Sequence, residues 1–354
     1  MGRSGAPPGV PGMVVDTKKW NKRLRRRGWH KTPRGLRVPL YSVTVEAGEV
    51  EEFVEYLFVR AMFAYMIAAS MLGVKVQDIA KKPYHGKSTE LHKKAYKIFN
   101  SIFGHIYLKN KETKHISKYY KYGLILSDGS IVSQKTLKFD SSRTELIAIV
   151  LKAFKRAKIY IGYPVLLDKD IIHPFIRILI KNSYGTKESI LRELEGATIT
   201  QLFDYTAGLV DGDGTIHKRN GIRICVGWKK LDAIKPIKWM GKLHRDGRYK
   251  YMFTIYKDFQ KAILPRMNHV QKRHKLAAVL QKGYRKHEFD GIKIAITLRG
   301  IKPRIEFYGN IEKILEYSRK LNLKPRIHNN TIEFNTQDTL KLLKTIINPP
   351  TKIT

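Results

Sequence analysis

The chain has 354 residues and carries 68 Lys and Arg against 30 Asp and Glu, a formal net charge of +38 at pH 7. Such an excess costs self-repulsion and fits a polyanionic partner, nucleic acid first. A single cysteine, Cys225, excludes an internal disulfide and a cysteine-based zinc site, and the 12 histidines form no His-Glu-x-x-His pattern.

Residues 1–40 read as a basic, flexible arm. The first 15 are rich in Gly and Pro, and no apolar signal segment is evident, so an intracellular protein is expected. Between Lys18 and Arg37 stand ten Lys or Arg and no acid, with Trp20 and Trp29 interleaved, a pattern suited to tracking phosphates. Residues 41–112 read as a helical N-terminal domain. Glu49, Glu51, Glu52 and Glu55 suit a helix N-terminus, and the apolar run Leu57–Val74 follows. That run approaches bilayer length, but Arg60 within it and its acidic flank favour a buried helix over a membrane span. Residues 68–80 faintly resemble a helix-turn-helix with Gly73 in the turn, and Leu91–Phe99 reads as a basic helix.

Residues 113–198 form the next unit. The stretch Lys121-Tyr-Gly-Leu-Ile-Leu-Ser-Asp-Gly129 opens it. A strand over 130–139, a helix over 143–156, a strand over 158–163 and helices over 174–181 and 187–195 are expected to follow. Residues 199–272 open on Thr206-Ala-Gly-Leu-Val-Asp-Gly-Asp-Gly214, the end of an apolar helix. A strand over 221–227, a helical stretch over 230–241 interrupted by Pro236, a hairpin over 244–256 and a helix over 258–264 follow. Residues 273–354 spell ββαββα: strands 292–298 and 303–308, helix 310–321, strands 324–328 and 331–335, helix 337–347. His274–Gly283 with the later Asp290-Gly291 reads as an eroded copy of the motif helix, so this segment is either a third, degenerate copy or a C-terminal extension, and the charged stretch before Asp290 does not suit a dry helix interface.

The two stretches share Gly-Leu-(Ile/Val)-x-x-Asp-Gly-(Ser/Thr)-Ile, with Asp128 and Asp213 in register 85 residues apart, the mark of an internal repeat. Gly208 and Gly212 lie one helical turn apart, as do Gly123 and Ser127, and small-xxx-small spacing lets two helix backbones meet. Each motif ends in acid at the negative end of the helix dipole, where a compensating cation is usual. A calcium-loop reading of Asp211-x-Asp213-Gly fails, because the twelfth position from Asp211 is Ile222 rather than Glu. Asp211 reads as structural, since Leu126 stands at the matching place in the first motif.

The sequence resembles the LAGLIDADG homing endonucleases over roughly residues 115–345. The second motif keeps Ala207, Gly208, Leu209, Asp211, Asp213 and Gly214 of the nine name-giving residues, and the first keeps Gly123, Leu124, Ile125, Asp128 and Gly129. The resemblance implies an α+β fold, a pseudo-twofold repeat of αββαββα half-units with saddle-shaped antiparallel sheets, here with a helical N-terminal extension. It implies that Asp128 and Asp213 bind divalent metal, Mg²⁺ or Mn²⁺, at a shared site. Gln134, Lys135, Lys218 and Lys230 lie on segments where such proteins place water-polarising or phosphate-contacting groups, with Gln134 and Lys218 the catalytic candidates. A DNA-facing stripe is expected from Lys135, Lys218, Arg223, Lys230, Arg248, Lys250, Lys293, Arg304, Arg326 and His328. Gly123, Ser127, Gly208 and Gly212 are the expected helix interface. The expected activity is site-specific double-strand DNA cleavage by a monomer, at a long pseudo-palindromic site, with an intron-encoded origin and no membrane association. The alternatives are an RNA-binding intron maturase and a catalytically silent DNA-binding protein. Either Asp128 or the segment near Asp290 stands opposite Asp213, the first motif being the better fit because it retains the small pair.

Overall fold

The structure, a computed structural model, describes residues 15–32, 35–81, 89–111, 116–168, 171–247, 250–281, 288–289, 291–299, 302–328 and 331–347. Within them the chain forms two compact units: residues 1–116 with 129–183, and residues 117–128 with 184–354. It is a mixed α+β fold with largely antiparallel sheets.

The first unit begins with α1 (Thr17–Arg23), β1 (Arg25–Lys31), β2 (Arg37–Val45), α2 (Val50–Met71), α3 (Glu90–Phe103) and β3 (His105–Asn110). After α4 (Lys118–Ser127), which belongs to the second unit, it resumes with β4 (Gly129–Ser133), β5 (Thr136–Ser141), α5 (Thr144–Ala153) and β6 (Arg156–Ile161). The short pair β7 (Val165–Asp168) and β8 (Ile171–His173) precedes β9 (Ile176–Lys181). Seven of these strands make one sheet in the order β1-β2-β3-β6-β9-β5-β4. Alternation decides its two faces. Val43, Ile106, Leu108, Ala157, Ile159, Ile178 and Phe139 are buried. Helices α3 and α5 pack on this unit's strands, and α2 packs on both of them.

Several expectations need correction here. The segment expected to be a flexible arm carries a capped helix, with Asp16 accepting from the Lys19 amide, and a β-hairpin. Cationic side chains did not prevent strand formation, because a strand of the outer hairpin keeps them in solvent. The N-terminal segment is accordingly not helical throughout: β2 and β3 add to the sheet by parallel pairing of Leu40–Val45 with His105–Asn110. Residues 130–139 are not one strand but the hairpin β4–β5, turning at Gln134 and Lys135. The expected helix 174–181 is the strand β9. Ile176, Ile178 and Ile180 are buried with a period of two, and β9 lies between β5 and β6, so its ladder is paired on both sides.

Arg60 in the apolar helix α2 also finds its reason. Its guanidinium donates to the Ile102 and Phe103 carbonyls at 3.1–3.2 Å, satisfying the C-terminal end of α3. Gly73, in the faint helix-turn-helix, adopts φ +66° and ends α2, but only a four-residue 3-10 turn, Val76–Ile79, follows it.

The second unit contains α4, α6 (Lys187–Glu195), α7 (Ile199–Asp213), β10 (Gly214–His217), β11 (Gly221–Gly227), β12 (Gly241–Asp246), β13 (Lys250–Ile255) and α8 (Lys257–Ile263). It continues with α9 (Val270–Gln281), β14 (Glu288–Phe289), β15 (Ile292–Arg299), β16 (Lys302–Gly309), α10 (Ile311–Lys320), β17 (Arg326–His328), β18 (Thr331–Glu333) and α11 (Thr336–Ile347). Residues 228–240 are 3-10 helix rather than α-helix. Pro236 inside the segment has no N–H to give to an i−4 ladder. The sheets run β10-β11-β13-β12 and β14-β15-β16-β18-β17. Three times, then, once the separate β7–β8 pair is set aside, four strands successive in the chain pair in the order first-second-fourth-third: β4-β5-β9-β6, β10-β11-β13-β12 and β15-β16-β18-β17. Every one of those pairings is antiparallel.

Candidate active site

The second unit is built on α4 and α7, which pack along each other. Both start at well-made caps. Ser117 Oγ accepts from the Tyr120 amide at 3.1 Å, and Thr198 with Gln201 forms a reciprocal capping box. The helices touch backbone to backbone where side chains are missing. A Cβ on Gly123 would meet the Tyr205 carbonyl, Leu209 N at 2.6 Å and Gly208 C at 2.8 Å. One on Gly208 would meet the Tyr120 carbonyl and lie 3.1 Å from Gly123 Cα. One turn on, a Cβ at Gly212 would strike the Ser127 hydroxyl and lie 2.6 Å from Asp128 Oδ2. The Ser127 hydroxyl is turned back onto the carbonyls of Gly123 and Leu124. Asp128 is the residue that caps α4, and Asp213 is the last residue of α7. It is thus α4 that packs along α7; Asp290 lies outside the described residues.

Two helix C-termini and two carboxylates converge here, so the local field is strongly negative. Two lysines answer it. Lys230 Nζ lies 2.9 Å from Asp213 Oδ2 and also donates to the Ser127 carbonyl, joining the two helix ends. Lys272 Nζ donates to the Val210, Asp211 and Gly212 carbonyls at 2.8–3.0 Å and so caps the last turn of α7, where the Val210 carbonyl also accepts from the Gly214 amide. Asp213 and Lys230 keep 27% and 42% of their side-chain surface exposed, so both are open to a ligand from solvent.

Asp211, two residues earlier, is a different kind of acid. It is 1% exposed, and its Oδ2 accepts from the Tyr120 hydroxyl and the Asn268 amide, both at 2.5 Å, and from the His269 amide at 3.0 Å. Burial raises its pKa, against those hydrogen bonds, and burial likewise drives the Tyr120 hydroxyl far above its usual range. Asp211 therefore ties α7 to α4 and to the segment after α8, well away from solvent. At the other end of the seam Glu193 accepts from Lys118 and from the Tyr122 hydroxyl, which hold its carboxyl below the ordinary range.

Asp128 and Asp213 suit a hard divalent cation in donor type, and the ammonium already held between the Asp213 carboxylate and the Ser127 carbonyl marks a place where positive charge is bound. No group of three or more His, Cys, Asp or Glu able to hold a metal occurs among the described residues. An ion here would take two protein carboxylates, with water and phosphate completing its shell, as Mg²⁺ commonly does.

The other sequence candidates lie on turns and strands of the two units. Gln134 and Lys135 are exposed in the β4–β5 turn of the first unit. Lys218 is exposed in the turn after β10, and no hydrogen bond or ion pair joins it to Asp213 among the described residues. The four residues of β10 carry it roughly 13 Å along the chain from there. Arg223 is half-buried on β11 opposite Thr215 and Thr254, on the other face from Ile222 and Ile224. Lys293 alternates with buried Ile292 and Ile294 and pairs with Glu288 at 3.5 Å, and Arg326 is exposed on β17. The backbones of Lys250, Arg304 and His328 lie in β13, β16 and β17, whereas their side chains and all of Arg248 lie outside the described residues. Sequence reasoning missed Lys272. No periodicity singles out one lysine in the basic run Gln271-Lys-Arg-His-Lys, and only its position beside the α7 end distinguishes it.

No protein-family model matches the chain, and no curated protein sequence matches it. Among solved structures it is similar to a variant of I-DmoI in complex with its target DNA, nicked in the coding strand, in the presence of manganese. The identity is 16% and the TM-score 0.27, over 47% of this chain and 95% of that one.

Proposed function

We propose that the protein is a divalent-metal-dependent, site-specific double-strand DNA endonuclease of the LAGLIDADG type. The observation that carries the reading is the meeting of Asp128 and Asp213 at the adjoining ends of two helices in backbone contact, with Lys230 bridging the ends. Phosphodiester hydrolysis needs negative charge on the pentavalent phosphorus and on the leaving 3′ oxygen to be neutralised, and hydroxide to be available near neutral pH. Mg²⁺, with Mn²⁺ as a substitute, held by Asp128 and Asp213 would supply the Lewis acidity for both needs. Lys230 adds a fixed positive charge beside Asp213 that requires no rearrangement as phosphate charge develops. Lys272 and the Asp211 network hold the end of α7, and so Asp213, in place. The proposal includes a monomer acting inside the cell on a long pseudo-palindromic site, since one chain supplies both carboxylates.

The test is cleavage of plasmid and genomic libraries by the purified chain with Mg²⁺, beside Asp213→Asn and Lys230→Met. Cutting that Asp213→Asn abolishes, and that Lys230→Met slows by about 10²–10³-fold, is the expected result. Absence of cutting on every duplex, together with specific binding to a folded intron RNA, would replace the enzyme by a maturase.

A further inference from the structure

Strands β1, β2 and β3 precede the repeated four-strand unit, yet they continue its sheet. β3 pairs antiparallel with β6, through Ile106↔Ile159 and Leu108↔Ala157, and β2 and β1 add beyond it. Their apolar side is buried with the helices, so the other side is free to carry function. Across it the register sets Ser42 beside Tyr107, Tyr107 beside Lys158, Lys158 beside Leu179, and Leu179 beside Lys138. A second row runs Thr44, Lys109, Arg156.

That side forms an open groove of about 940 Å³. Ten of its twenty described lining residues are Lys or Arg, and the one acid among them, Glu46, is paired with Lys111 at 3.1 Å. Among the described residues Arg25, Lys109, Arg156 and Lys181 enter no ion pair. Lys109 stands directly opposite Arg156 on the neighbouring strand, a like-charge pair that weakens a sheet unless an anion lies over it. Among the described lining residues one, Tyr107, is aromatic, and a single ring is no platform for successive unstacked bases. Regularly spaced cations on rigid strands match the fixed phosphates of a duplex instead.

We propose that the face built by β1–β3 and β6 is a DNA-backbone clamp that lengthens the duplex contacted by the first repeat on one side. The proposal rests on the DNA-binding part of the function proposed above and not on cleavage. Three added strands at about 4.8 Å each widen the face by about 14 Å, which corresponds to about four base pairs of duplex laid across the strands.

The experiment uses the full chain and a 40-base-pair duplex, with single-stranded RNA of equal length as the second probe, titrated at several salt concentrations. The wild-type chain is compared with a triple variant, Arg25→Gln, Lys109→Gln and Arg156→Gln, all at exposed positions, and with the charge-keeping triple Arg25→Lys, Lys109→Arg and Arg156→Lys. Loss of three phosphate contacts lowers the slope of log K against log salt by about 2.5–3 for the duplex and weakens binding at least about tenfold at physiological salt. The charge-keeping triple retains the wild-type slope. An unchanged slope in the Gln triple overturns the clamp, and so does a loss confined to the RNA probe. A chain that binds duplex through this face without ever cutting would refute the proposed chemistry while leaving the clamp standing, and a chain that cuts with an unchanged slope would do the reverse.

Discussion

Replacing Gly208 by Ala sets two known effects against each other. Alanine in a helix interior is favoured over glycine by about 1 kcal/mol, and an extra buried methyl group adds about 0.8 kcal/mol more. In an ordinary helix the change would therefore stabilise. At Gly208, however, the new Cβ would press on the Tyr120 carbonyl and stand 3.0 Å from Tyr120 C and 3.1 Å from Gly123 Cα. All three contacts are backbone, so no rotamer change relieves them, and α4 and α7 must separate along a seam whose other residues are buried. Overpacking of a core costs about 1–3 kcal/mol when side chains can adjust, and more when main chains must move. With backbone obstacles the cost lies at or beyond the upper end of that range, so after both gains are subtracted the net expectation for Gly208→Ala is a loss of about 1 kcal/mol or more. Gly123→Ala should behave alike. Gly212→Ala should cost less, because its first obstacle is the rotatable Ser127 hydroxyl. Urea unfolding, followed by the fluorescence of buried Trp239, reads this as a lower midpoint at unchanged slope. A Gly208→Ala variant that is more stable than wild type by about 1 kcal/mol would refute the close seam.

Asp211→Ala would leave the Tyr120 hydroxyl and the Asn268 and His269 amides facing a void, and should cost about 3–5 kcal/mol in the same unfolding assay. A loss below 1 kcal/mol would show that those groups find other partners. Glu193 has its pKa lowered, first by Lys118 and then by Tyr122. Its contribution is therefore present above the ordinary value of 4.5 and is lost as pH falls through the depressed one. Glu193→Gln should flatten the acid limb of the stability-pH curve, and an unaltered limb would count against the ion pair. Lys272→Met removes the donor to three α7 carbonyls, and a loss of about 1–2 kcal/mol is expected. An unchanged unfolding midpoint would show that those carbonyls are satisfied without it.

What could be read from the chain alone was what lies close together in it. Gly123, Ser127, Gly208 and Gly212 stand at one-turn intervals beside apolar neighbours, so two helices with bare faces were legible before any contact was known. Asp128 and Asp213 were legible as ends of those helices because Gly follows each. The ββαββα succession after residue 291 was legible because its alternation and its amphipathic helix are local patterns.

Tertiary structure decided the rest, and in each case the deciding partner is remote in sequence. Ile176–Lys181 is apolar enough for either a buried helix turn or a central strand, and the ladders on β5 and β6 choose the strand. Basic residues 25–31 look like a loose tail until β2 and β3 supply an edge to extend. Lys230 was one of four basic or amide candidates in the sequence and Lys272 was none of them, and only folding puts their charges where two helix dipoles and two carboxylates meet. The sequence by itself determined which surfaces are bare and where acids stand, since both follow from helical and strand periods. The pairing of surfaces, and so which charges neutralise one another, needed the fold, because electrostatic and packing energies depend on distance in space and not on separation along the chain.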